Sequence, residues 1–269
     1  METQSMKGTT MRWILLTAVL AFSPVLFAAE DMITIPTRPG VTQSFVLTTP
    51  DSGQPDVVLI LFPGARGQIN LRRVDGEIRF GETNFLVRER KRFVALGAAT
   101  ATVDVPSDYA SSGIDNGFRS GKKHATDIGF VIDDLRKRWP AAHIFLVGTS
   151  NGTVSAAAVA HRLKERIDGV VLTSTVRDAS TGDMKKLGKP VLLVHHRLDG
   201  CSSSPYGGVK GLSPSLPLIT VNGGSPAASG PCEPYSAHGY YGAEAPVVAA
   251  IMHWIRQESY PAEIDANPN

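Results

Sequence analysis

Apolar residues follow two rhythms along this chain. Residues 57–62 (V-V-L-I-L-F) are apolar without interruption, which suits a strand covered on both faces. Residues 45–49, 98–105, 144–147, 170–173, 191–194 and 216–221 form comparable runs, and 45–49 is expected at the edge of the sheet. Between these runs the period becomes helical. Ile128, Val131, Ile132, Leu135 and Trp139 share one face before Pro140 stops the helix. Residues 153–163 are dense in alanine, which lets a helix lie close to a sheet. Val247, Val248, Ile251, Trp254 and Ile255 mark a last amphipathic helix. Strands alternating with helices predict an α/β domain whose doubly wound, mostly parallel sheet carries helices on both faces. Residues 200–236, rich in Gly, Ser and Pro around the 216–221 strand, read as loops at the end of that sheet.

The first 29 residues break this pattern. Lys7 and Arg12 precede an apolar run from Trp13 to Ala29, interrupted by Thr17, Ser23 and Pro24. A positive flank, an apolar centre and small residues at the end predict a secretory signal peptide over 1–29, cleaved after Ala28 or Ala29. The run falls short of the roughly 20 apolar residues that span a bilayer comfortably. A single domain over 30–269, periplasmic or secreted and free of stable membrane association once the leader is gone, is therefore expected.

Composition adds little beyond this. Apolar residues at 42% and charged residues at 19% fit a sizeable core, and a net charge of +2 gives no footprint for a nucleic-acid partner. Lys122, Lys123, Arg136, Lys137 and Arg138 fit the wet ends and face of a helix. The two cysteines, Cys201 and Cys232, are expected to pair in an exported chain. Closing such a loop contributes about 3–4 kcal/mol on the chain-entropy argument. No CxxC or HxxxH spacing accompanies them, so neither a metal nor an organic cofactor is expected.

The chemistry concentrates around H-I-F-L-V-G-T-S-N-G-T, His143 to Thr153. Here G-x-S-x-G, formed by Gly148, Ser150 and Gly152, follows an apolar strand and opens an alanine-rich helix. A sharp strand-to-helix turn exposes a serine hydroxyl above the sheet, and small neighbours keep the turn free of clashes. Ser150 is thus the candidate nucleophile, and it needs a base and an acid to orient that base. In folds of this order the acid and then the histidine follow the serine. Asp199 comes just after V-L-L-V-H-H-R-L and is the favoured acid, with Asp178, Asp183 and Glu233 as competitors. Of the seven histidines only His238 and His253 lie beyond it. His253 sits inside the last helix, whereas His238 occupies the loop S-A-H-G-Y-Y-G and is the favoured base. His195 and His196 end the strand leading to Asp199 and alternate across the sheet; they are read as structural, with a secondary contact to the site left open for one of them. The loop P-G-A-R-G-Q after 57–62 is placed to supply one oxyanion N–H, from Ala65, and the residue after the nucleophile, Asn151, supplies the other. Arg66 is a candidate contact for an anionic substrate group.

With these residues in place, the chain resembles the α/β-hydrolase superfamily, and more narrowly a group of exported bacterial α/β-hydrolases of undefined substrate. The matching pieces are F-P-G-A-R-G-Q, T-N-F-L-V-R-E-R, V-D-V-P-S-D, V-G-T-S-N-G-T, V-H-H-R-L-D-G-C and P-C-E-P-Y-S-A-H-G-Y. They run from about Phe62 to Tyr240. The resemblance carries a triad onto Ser150, Asp199 and His238, and oxyanion donors onto Ala65 and Asn151. Pro63-Gly64 stands where His-Gly is commoner, and no insertion is long enough for a separate lid domain. The implied activity is hydrolysis of an ester or related acyl bond in a small molecule. Amide hydrolysis, acyl transfer or ligand binding without catalysis are the competing classes.

Overall fold

The computed structural model describes Met1, residues 28–179 and residues 181–267. The leader expected over 1–29 lies almost wholly outside the described residues.

Each long apolar run becomes a strand. The uninterrupted run is β3 (Val57–Phe62), and every one of its residues is buried. Around it stand β6 (Ala99–Val103), β7 (His143–Thr149), β8 (Gly169–Thr173), β9 (Val191–His196) and β10 (Leu218–Gly223). Among the described residues these belong to one nine-stranded sheet, completed by β1 (Ala29–Arg38), β2 (Val41–Thr49) and β11 (Glu263–Ala266), in the order β1-β2-β6-β3-β7-β8-β9-β10-β11. From β6 to β11 every neighbour pair is parallel. β2 runs against β6, and β1 runs against β2.

Residues 45–49 therefore do not form the edge: β1 covers them. The sequence hides β1 because its burial alternates only loosely and the register shifts between Pro36 and Arg38. Such irregularity is how an edge strand avoids pairing with a further chain. Ala29 pairs with Thr49 and Thr48 with Thr100, whereas Phe45 pairs with Val103. Ala29 accordingly lies at the end of the sheet where the parallel strands begin, opposite the end where β7 delivers Ser150.

Alternation along β3 sends Val57, Leu59 and Leu61 to one face and Val58, Ile60 and Phe62 to the other. The first set packs with α1 (Phe85–Ala95) and α6 (Glu244–Ile255) through Phe85, Phe93, Val247 and Ile251. The second packs with α3 (Lys122–Arg138) and α4 (Gly152–Leu163) through Ile128, Val131, Ala156 and Ala160. Burying each such aliphatic side chain contributes about 1.5–3 kcal/mol. The basic cluster of α3 falls as expected, with Arg136, Lys137 and Arg138 in its last turn, where cations oppose the helix dipole. Two short helices, α2 (Asn116–Ser120) and α5 (Tyr206–Lys210), and the hairpin of β4 (Arg72–Val74) and β5 (Glu77–Arg79) lie in the loops. Among the described residues no helix is long and apolar enough to cross a membrane.

Candidate active site

Ser150 sits between β7 and α4 with φ +52°, a left-handed conformation that a side chain rarely adopts. Ser150 N–H donates to Thr173 O (3.1 Å), and Thr153 closes the turn onto Ser150 O from both its N–H (2.9 Å) and its hydroxyl (2.6 Å). The glycines either side are required by contact. A Cβ on Gly152 would stand 2.0 Å from Phe62 O, and one on Gly148 would stand 2.4 Å from Gly152 O. With no side chain at either position, the strand-to-helix turn closes against β3 and presents residue 150 at the end of the sheet.

The loop after β3 runs directly against that serine. A Cβ on Gly64 would meet Ser150 Cβ at 2.9 Å and the amide nitrogen of Asn84 at 3.4 Å. Asn84 also caps α1, its Oδ1 accepting from Leu86 N–H. Ala65 has φ +46°, and the Asn151 side chain donates to Ala65 O at 3.1 Å. The two candidate oxyanion segments are thus tied to each other. None of the hydrogen bonds among the described residues uses the N–H of Ala65 or of Asn151. Arg66, the candidate anion contact, spends its Nε on Ser112 O at 2.5 Å. Arg72 and Ala110 line an open cleft of about 480 Å³ together with Asn70 and Asp104. Neither Ser150 nor any residue of the loop 63–68 lines that cleft.

Asp199 emerges one turn after β9 and has no exposed side-chain surface. Its Oδ1 accepts from Cys201 N–H at 2.9 Å. Its Oδ2 accepts from Ser204 Oγ at 3.0 Å and His238 Nδ1 at 2.9 Å, and lies 3.2 Å from His195 Nε2. Burial alone would raise the carboxyl's pKa. The hydrogen bonds from His195, from His238 and from the Cys201 N–H outweigh it and hold Asp199 well below the usual carboxylate range. Because Nδ1 of His238 faces a carboxylate, it carries the ring proton, leaving Nε2 with its lone pair. His238 Nε2 is buried and has no hydrogen-bond partner among the described residues.

The base loop is held from behind. Ser174 Oγ donates to His238 O at 2.7 Å, and Tyr240 OH donates to Val194 O at 2.8 Å while accepting from Ser174 N–H at 2.9 Å. Ser150 N–H binds Thr173 O, so the neighbouring residues Thr173 and Ser174 at the end of β8 hold the turn of Ser150 and the loop of His238 respectively. Cys201 and Cys232 form a disulfide with Cα atoms 4.5 Å apart, linking the acid's loop to the segment preceding His238.

The sequence reading underrates two groups here. His195, read as structural, is fully buried with Nε2 2.9 Å from Ser204 O as well as beside Asp199. Ser204 has no motif of its own, yet its hydroxyl lies 3.0 Å from His238 Nδ1. His196 is structural as read: Nε2 donates to Gly223 O and Nδ1 accepts from Leu198 N–H, which shapes the turn before Asp199. His253 is half exposed on α6. The signal for His195 lies in its spacing, four residues before an acid at a strand end.

No curated protein matches the chain by sequence. The model of the serine aminopeptidase S33 family matches residues 90–198, a stretch that contains Ser150 and stops one residue short of Asp199. Among solved structures, an α/β serine hydrolase homologue from Coxiella burnetii superposes with a TM-score of 0.60 at 17% identity, covering 84% of this chain and 97% of that one. A dienelactone hydrolase from Anabaena variabilis gives 0.63 at 14% identity over 86% and 98%. A lid-less α/β serine hydrolase from Xanthomonas campestris gives 0.58 at 14% identity over 89% and 100%. Its sheet order and these matches show that the chain has the α/β-hydrolase fold.

Proposed function

We propose that the protein is an exported serine hydrolase that cleaves a carboxylic ester or related acyl bond in a small molecule. The observation that carries this reading is the Asp199–His238 pair, which leaves a buried, unpartnered Nε2 at the same sheet end as a serine held at positive φ. Ser150 attacks the carbonyl carbon while His238 Nε2 takes its proton. Asp199 holds the imidazole in the right tautomer and stabilises the imidazolium. The N–H groups of Ala65 and Asn151 receive the tetrahedral oxyanion. His238 returns the proton to the leaving alcohol, and water, activated by the same histidine, releases the acid. The serine–histidine hydrogen bond forms on substrate binding, since such bonds are often long in the free enzyme. The family model and two of the structural matches carry serine hydrolase descriptions, which supports the same chemistry. Export rests on the leader-like sequence of residues 1–29 and on the disulfide.

Purified protein is expected to hydrolyse short-chain p-nitrophenyl esters and to be labelled at Ser150 by a fluorophosphonate probe. Labelling without turnover would point to another acyl substrate, whereas the absence of both labelling and turnover would end the hydrolase reading. A second reading, amide hydrolysis, is favoured by the aminopeptidase description of the family model. An aminoacyl-nitroanilide panel run beside the esters separates the two.

The disulfide makes its own prediction. Cys201 contributes both a sulfur to the bridge and an N–H to Asp199. The double variant Cys201→Ser/Cys232→Ser is expected to lose about 2–5 kcal/mol of stability and, while still folded, to show a lowered kcat. Unchanged kcat in the folded double variant would mean that the bridge serves the fold alone.

A further inference from the structure

Arg119 projects from α2 into the interior directly behind the oxyanion loop. It is 1% exposed. Its Nη1 donates to Ser155 Oγ at 2.8 Å, and its Nη2 is shared among the carbonyls of Pro63 (3.3 Å), Gly64 (3.4 Å) and Ala65 (3.2 Å). Its Nε has no partner among the described residues. Among the described residues it makes no ion pair within 4.0 Å, and Asp115 is the acidic group whose charge reaches it. Burial lowers its pKa to about 10, against the opposing pull of Asp115, so it remains a cation at neutral pH. The adjacent His124 adds no charge, because burial and the Arg119 cation hold it down at about 3.

A buried cation hydrogen-bonded, among the described residues, only to neutral groups is costly unless something else uses its charge. We propose, on the reading of the site given above, that Arg119 is a positioning residue for the oxyanion hole, fixing its loop and polarising the peptide whose N–H receives the oxyanion. The geometry of the peptide group supplies the link. Gly64 C=O and Ala65 N–H belong to one trans peptide and point to opposite sides of it. The guanidinium grips the oxygen end, and the N–H end is the candidate donor. A charge-assisted bond at a carbonyl makes the N–H of the same amide a stronger donor, by about 10–30% per bond in cooperative chains. The cation also stands on the carbonyl side of that peptide, in an interior that screens it weakly. In the ground state the substrate carbonyl is neutral, so the benefit arises only as charge builds, and it falls on kcat.

The test uses Arg119→Lys, which keeps the charge, and Arg119→Met, which keeps the bulk of the stem. Each is assayed with p-nitrophenyl acetate for kcat and KM, for the rate of fluorophosphonate labelling, and by circular dichroism. The folded Met variant is expected to lose about 100-fold in kcat, the scale of a missing oxyanion donor, with KM within twofold of wild type. Lys is expected to restore at least tenfold of that loss. Wild-type kcat in a folded Met variant would overturn the proposal, and so would Lys and Met variants impaired equally, since packing alone would then explain both. If Met at 119 prevents folding, the Lys variant decides: a loss within tenfold at unchanged KM supports the role, and a loss as complete as that of Ser150→Ala overturns it. Wild-type protein that neither turns over nor labels would instead defeat the hydrolase reading itself, and this proposal with it.

Discussion

Ser150→Ala is expected to lower kcat for ester hydrolysis by about 10⁵–10⁶-fold while leaving the fold intact. The magnitude follows from the way serine triads act as a unit, where removing the nucleophile costs nearly as much as removing all members. The intact fold follows from the hydrogen bonds. Ser150 is fixed through its backbone, its N–H on Thr173 and its carbonyl under Thr153, and no hydrogen bond of its Oγ is made among the described residues. Alanine leaves no buried group unpaired, and its Cβ fits where the serine's already sits. Thermal midpoints within a degree or two of each other, together with absent turnover and absent labelling, are the expected result. A variant that kept more than a few per cent of wild-type kcat would move the nucleophile elsewhere.

Asp199→Asn is expected to cost about 10⁴-fold in kcat, for a reason that concerns protons more than charge. Oδ2 faces His238 Nδ1, Ser204 Oγ and His195 Nε2. An amide NH₂ in that place would confront donors, and turning it around would put the NH₂ against Cys201 N–H. The least costly escape is for His238 to move its proton to Nε2, which disables it as a base. The same carboxylate couples stability to pH. Its folded pKa is depressed, so below the ordinary aspartate value near 4 the unfolded chain binds the proton first. The stabilisation from Asp199 is therefore complete above about pH 5 and fades as pH falls through 4 toward the folded value. Thermal midpoints measured across pH 2–6 should fall more steeply toward acid in wild type than in Asp199→Asn. Equal slopes would mean that other carboxylates dominate the acid limb.

The parts legible in the sequence are those written locally. Residues 57–62 announce a doubly covered strand because every side chain is apolar, and Ser150, Asp199 and His238 each follow a strand or precede a helix in the order such folds impose. The parts missed are those whose meaning depends on distant partners. Helix α1 contains Arg88, Glu89, Arg90, Lys91 and Arg92 in succession, which mutes its apolar face. Arg90 is nonetheless buried, because Glu30 on β1 reaches it at 2.6 Å. The edge strand and the helix explain each other, and neither is readable alone. Strand β11 is four residues long with one buried position, too little for a period to show. Likewise Arg119 looks like one more helix arginine until Ser155 and the 63–65 carbonyls are seen around it, and Ser204 gains its place beside His238 only when the chain returns from 34 residues away.

The first residue of β1 and the last residue of β11 lie at opposite poles of the sheet. Ala29 starts β1 at the pole away from Ser150, while Ala266 pairs with Gly223, whose carbonyl holds His196 next to the acid's turn. A protein fastened to a bead or a surface through its N-terminal side would turn Ser150 outward, toward whatever diffuses past. Fastened through its C-terminal side, the same molecule would turn Ser150 toward the support and bring the attachment beside the turn that carries Asp199. Substrates too large to slip beneath it would then register the difference as a lower apparent turnover.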